Sequence, residues 1–133
     1  MLKDIKDDNG KILFSSKELQ CKRTKDGLLC EHFRKSLKEL RTLYGNKMTI
    51  TSCCRSVEHN IAVGGAKNSH HIYDISKNIK TCAADIARPT GDLCAKLVHL
   101  ALDMGFSVGI AKTFIHIDLR TKTSNKPQIL FTY

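Results

Sequence analysis

The run Ala83-Ala84-Asp85-Ile86-Ala87, read together with Phe114-Ile115-His116-Ile117-Asp118-Leu119, decides the fold. In the first run one acidic residue is set in a short apolar stretch, which predicts a buried strand. In the second, a period of two puts Phe114, His116 and Asp118 on one face and Ile115, Ile117 and Leu119 on the other. His116 and Asp118 are therefore expected to look into the same space. Upstream, Asn68-Ser69-His70-His71 adds two further histidines. Histidine, aspartate and histidine from three separate segments make the ligand set that a catalytic zinc ion needs, with a fourth position left for water.

Working outward, the apolar positions Leu29, Cys30, Phe33, Leu37, Leu40, Leu43 and Tyr44 recur at spacings of three and four. That predicts an amphipathic helix closed by Gly45-Asn46 and packed on a sheet. Met48 to Ser52 alternates and is rich in β-branched residues, a strand that leads into Cys53-Cys54-Arg55-Ser56 and leaves Arg55 at its end. Ser56 is placed to cap a short helix that Gly64-Gly65 ends. The polar segment Asp74 to Lys80 reads as a surface excursion. After Pro89, Thr90 or Asp92 can cap a second amphipathic helix with Leu93, Cys94, Leu97, Val98, Ala101 and Leu102 on its apolar face, ending near Gly105. Phe106 to Ala111 reads as a strand or turn, and Gln128 to Tyr133 as a last, edge strand. At the other end, Met1 to Phe14 reads as polar and irregular, with a turn at Asn9-Gly10 and Ile12-Leu13-Phe14 as a strand or a cover for the core. Ser15 can cap one helical turn.

Composition sets the bounds. A chain of 133 residues fits one domain, and 41% hydrophobic with 26% charged residues is ordinary for a globular protein. No apolar run approaches the roughly 20 residues of a membrane span, and the charged start Met1-Leu2-Lys3-Asp4-Ile5-Lys6 has no apolar core of a signal peptide. The expectation is synthesis in the cytoplasm with no leader. The charge of +9, from 22 Lys and Arg against 13 Asp and Glu, favours an anionic partner: nucleic acid, anionic lipid or an acidic bacterial wall. With no Trp and 6% aromatic residues, base-stacking platforms are not evident, so nucleic acid is not expected as a partner. Six cysteines at 21, 30, 53, 54, 82 and 94 form no CxxC pair. They read as buried free thiols, as disulfides if the protein works outside a reducing compartment, or as a second metal site built from Cys21, Cys30 and Cys53 or Cys54. Oligomeric state is not legible.

The run Ile50-Thr51-Ser52-Cys53-Cys54-Arg55-Ser56-Val57-Glu58-His59-Asn60-Ile61-Ala62-Val63-Gly64-Gly65-Ala66-Lys67-Asn68-Ser69-His70-His71 resembles the signature of the zinc D-Ala-D-Ala carboxypeptidase and L-alanyl-D-glutamate endopeptidase family. Ala83-Ala84-Asp85-Ile86 and Phe114-Ile115-His116-Ile117-Asp118-Leu119-Arg120 are similar to its two later motifs. The resemblance implies an α+β fold, a small antiparallel sheet flanked by helices, in a single domain over residues 1–133 with its core at about 29–120. It implies one zinc ion held by His71, Asp85 and His116, with Arg55 engaging a substrate carbonyl or carboxylate. Ser69 would orient the ligand histidine, and His70 would contact substrate, a shift of register by one exchanging it with His71. The implied substrate is the peptidoglycan stem peptide, as for a phage endolysin. A non-catalytic zinc-binding or virion module of the same fold is the alternative, as in relatives of the hedgehog signalling domain.

Three departures from the family stand out. Thirteen residues separate His71 from Asp85 where six are usual, an insertion of about seven residues around Asp74 to Lys80 that makes Asp74 a rival ligand. Cys53-Cys54 replace a Gly-Tyr pair. Thr113 stands where many relatives carry an acid, three positions before the last histidine. Asp118, on the face that His116 occupies, is then the candidate catalytic residue that carries the proton, with orienting a ligand histidine as its alternative role, and Glu58 is expected to be solvated on its helix.

Overall fold

The computed structural model describes residues 2–133, so Met1, with which the irregular start was expected to begin, lies outside the described residues. Strand β1 (Ile5–Lys6) pairs antiparallel with β2 (Ile12–Phe14), and helix α1 (Ser16–Leu19) follows. The irregular start is thus a small hairpin. The Asp7 side chain accepts from the backbone N–H of Asn9 and Lys11, and Gly10 takes φ 84 at the turn, so polar residues close a hairpin whose apolar members Ile5 and Phe14 are buried. Ser15 caps α1 in a reciprocal box with Glu18.

Helix α2 (Glu31–Tyr44) buries Phe33, Leu37, Leu40 and Tyr44, the face its spacing predicted, and ends on Gly45 at φ 71. It begins two residues later than expected because Leu29 bridges to Thr81 and the Cys30 N–H donates to the Thr81 carbonyl. After β3 (Ile50–Ser52), α3 (Val57–Ala62) starts at Ser56, whose hydroxyl accepts from the His59 N–H. Strand β4 (Ala83–Ala87) leads to α4 (Gly91–Asp103), which buries Leu97 and Ala101 and leaves Leu93 at the surface. Then come β5 (Ser107–Ile110), β6 (Phe114–Asp118), the short α5 (Arg120–Thr123) and β7 (Leu130–Thr132).

The main sheet has the order β3-β4-β6-β5-β7. One face carries Ala84, Ile86, Val108, Ile115 and Ile117, all at or near zero exposure, in one core with the buried residues of α2 and α4. Phe33 of α2 meets Phe106 edge to face at 6.1 Å, joining helix to sheet. The other face carries Asp85 and His116 and opens to a cleft. This is the expected α+β arrangement, with one correction: β7 runs parallel to β5, so the sheet is not wholly antiparallel. The reason lies in register. Ser107, the first residue of β5, is paired with Asp118, the last of β6. A short return through α5 therefore delivers the chain to the start of β5, and β7 must run alongside it.

No helix among the described residues is long and apolar enough to cross a membrane.

Candidate metal centre

Strand pairing brings the first two candidate ligands together. Asp85 of β4 stands directly opposite His116 of β6, on the face away from the helices. His71 comes from the loop after α3, whose path is fixed at several points. Its N–H donates to the Ser69 hydroxyl at 3.2 Å, and its carbonyl accepts from the buried Thr81 hydroxyl at 2.8 Å and from the Arg55 N–H at 2.8 Å. The result is one cluster: His71 Nε2 lies 3.1 Å from Asp85 Oδ1 and 3.3 Å from His116 Nδ1, and His116 Nδ1 lies 2.9 Å from Asp85 Oδ1. All three residues are buried.

The far side of each ring decides what these atoms want. His71 Nδ1 is 2.7 Å from the Cys53 carbonyl, which can only accept, so a proton sits on Nδ1 and Nε2 is the atom turned to the centre. His116 Nε2 donates at 2.7 Å to Asp118 Oδ2, which leaves Nδ1 as the ring nitrogen facing the centre. Two ring nitrogens and a carboxylate oxygen thus converge within 3.3 Å of one another, an arrangement that fits a cation. Their mutual distances suit tetrahedral ligation at roughly 2.0–2.2 Å, and nitrogen with oxygen is a donor set that zinc accepts. Burial works against the charged form of Asp85, but the His116 and His71 rings outweigh it and hold its carboxyl well below the usual range. Burial also opposes charge on His116, yet Asp118 and Asp85 raise its pKa.

Asp118 is fully buried beside β6's end. Besides His116 Nε2 it accepts from the Arg120 N–H at 3.0 Å, Arg120 Nε at 2.9 Å and Arg120 Nη2 at 2.7 Å, so both of its oxygens are engaged. Burial again opposes ionisation, and Arg120 and His116 outweigh it. Arg55, at β3's exit, is gripped by Ser52 through Nε at 3.1 Å and by Asn60 through Nη1 at 3.2 Å, and its Nη2 reaches to 3.5 Å from Asp85 Oδ2. Asn60 is itself buried and donates to the Ala66 carbonyl. A Cβ on Gly65 would fall 2.1 Å from Asn60 Oδ1, so only glycine lets this loop close on the Arg55 anchor.

These groups line a cleft of about 600 Å³. His70 is half-buried at its edge, with Nδ1 3.7 Å from Cys82 Sγ; burial is the main cause that lowers its pKa, while the Asp118 charge opposes it. The opposite wall is aromatic: Phe114, Phe131 and Tyr133 pack ring to ring, and Phe131 lies 5.8 Å from the His116 ring. Asp74 is away from the centre, its carboxylate turned onto Ser76 and Lys77 of its own exposed turn, so it does not compete as a ligand. Thr113 and Glu58 are exposed and do not line the cleft. His32, His59 and His99 also lie outside it. Among the described residues, Cys21, Cys30 and Cys53 or Cys54 do not converge as a second metal site, and the six cysteines are free thiols. The roles of Asn60, Thr81, Arg120 and the β7 aromatics were not read from the sequence, although Asn60 and Arg120 stood within the quoted motifs.

The fold thus presents three residues that could hold a metal ion on the polar face of its sheet, above an open cleft. The Peptidase M15 family matches residues 13–118, and the chain belongs to that family. Comparison with curated proteins gives no match.

Proposed function

We propose that the chain is a zinc-dependent peptidase that hydrolyses an amide bond in the peptide stem of peptidoglycan, of D-Ala-D-Ala carboxypeptidase or L-Ala-D-Glu endopeptidase type. Cell-wall lysis of the kind a phage endolysin performs is the corresponding role. The observation that carries this reading is the convergence of His71 Nε2, Asp85 Oδ1 and His116 Nδ1, beside a guanidinium and within a cleft. His71, Asp85 and His116 would hold the zinc, which when bound would supply a Lewis acid for a carbonyl and for water.

The chain's own residues divide the remaining work. Arg55, preset by Ser52 and Asn60, is a charged fork that holds a substrate carbonyl or carboxylate over the centre. Ser69 fixes the backbone of His71, and His70 lines the cleft for substrate. Asp118 acts through His116: with four N–H groups on its two oxygens, it positions that ring and holds the proton on Nε2. This assigns Asp118 the orienting role rather than the proton-carrying one.

The test is metal content against turnover. Purified protein should carry about one zinc per chain and clear murein. His116→Ala should lose the zinc; Arg55→Ala should keep it and lose clearing. Clearing that survives chelation would sink the mechanism.

One observation favours a second reading. Asp85 is the one carboxylate among the described residues lining the cleft, and exposed Thr113 offers none. A zinc-bound wall-binding or virion module of the same fold would need no proton carrier. Zinc-loaded protein that sediments with murein but releases no fragment would establish that alternative.

A further inference from the structure

A second cleft, of about 820 Å³, opens beside the metal cleft and shares Asn68, Ser69, His70 and Lys126 with it. Its lining includes Lys67, Lys80, Lys122 and Lys126, and no Asp or Glu occurs among its described lining residues. One wall is Asn78, Ile79 and Lys80, the end of the excursion that lengthens the path from His71 to Asp85. The acid within that excursion, Asp74, is occupied by the Ser76 hydroxyl at 2.6 Å and by backbone N–H groups, so it does not pair with these lysines. Between the lysines the surface is aliphatic, from Val57, Ile72 and Ile79.

We propose that this second cleft binds the carboxylate-bearing flank of a peptide whose other part lies in the metal cleft. That the peptide is the one cleaved rests on the peptidase reading above; that the cleft selects carboxylates does not. Three features select this ligand. The shared residues make the clefts continuous, so a single extended chain can occupy both. Lysine ammonium groups are point charges suited to separate carboxylates spaced along a peptide. The aliphatic floor takes side chains, and no Phe or Tyr lines the cleft to stack nucleic-acid bases. The excursion thereby gains a purpose: it supplies a wall and a cation.

The test uses the full chain and fluorescein-labelled hexaglutamate, followed by anisotropy at low salt. The variant Lys67→Gln/Lys80→Gln/Lys122→Gln should bind at least about fivefold more weakly, given the modest worth of each exposed charge pair. A control with the same charge loss elsewhere, Lys11→Gln/Lys17→Gln/Lys47→Gln, should stay within about twofold of the parent. Circular dichroism and thermal melts verify that both variants fold. Equal weakening in the two variants would overturn the proposal in favour of undirected surface charge. Displacement of the probe by hexathymidylate or polyphosphate at lower concentration than by unlabelled hexaglutamate would overturn it in favour of a phosphate polymer. With zinc-loaded protein, the cleft variant should raise KM for a glutamate-bearing peptide more than for its glutamine counterpart. If neither peptide is hydrolysed, the peptidase reading fails, while the anisotropy comparison still decides the cleft.

Discussion

At the scale of single residues, the centre depends on partners that never touch the metal position. Asp118 is the clearest case, since removing its charge leaves Arg120 without its ion pair and His116 with a weaker partner on Nε2. Asp118→Asn is expected to lower zinc affinity by about ten- to a hundredfold, measured by competition against a chelator of known affinity. Unchanged affinity with abolished turnover would instead make it the proton carrier. Gly65 is a second case. Its added Cβ would strike Asn60 Oδ1 and approach Arg55 Nη1 to 3.1 Å, so Gly65→Ala should cost about 1–3 kcal/mol in a denaturant melt and release the Arg55 anchor. A variant as stable as the parent would show that the loop can shift without strain.

At the scale of elements, the Asp85 to His116 pairing between β4 and β6 is what turns two distant motifs into one site. The two strands and the two ligand residues were legible, from an acid in an apolar run, a histidine in a period-two run and the family resemblance; that the strands are neighbours was not. The ligand faces followed from the same alternation, and the burial of Phe33, Leu37 and Leu40 from helical spacing. What could not be read was the return of the chain after β6. Residues 124–129 have no periodicity, so nothing local announces that β7 will lie parallel to β5 and carry Phe131 and Tyr133 to the cleft. That contact depends on Gly109, where a Cβ would come within 2.5 Å of Phe131 Cζ. Gly109→Ala should push the aromatic wall outward and increase proteolysis of the C-terminal segment; unaltered cleavage would mean that β7 is held by other contacts. Ser56→Ala, removing the cap of the helix that carries Asn60, should cost about 1 kcal/mol of stability.

At the scale of the molecule, a chain of net charge +9 keeps two buried carboxylates, Asp85 and Asp118, ionised at its centre through the rings and guanidinium beside them. The ion would tie a loop and two strands together, so folding and metal binding should be coupled. Zinc at a free concentration about a hundredfold above its Kd should add about 2.7 kcal/mol and raise Tm by roughly 10 °C, an increment lost on chelation and missing in His116→Ala. The His71, Asp85 and His116 centre is proposed to perform peptide hydrolysis in the wall. Its most direct test is mass analysis of the fragments released from purified murein by the zinc-loaded chain, the chelated chain and His116→Ala. The expected result is stem-peptide fragments with one new terminus type from the zinc-loaded chain and none from the other two. Fragments released equally by all three, or by none, would contradict it.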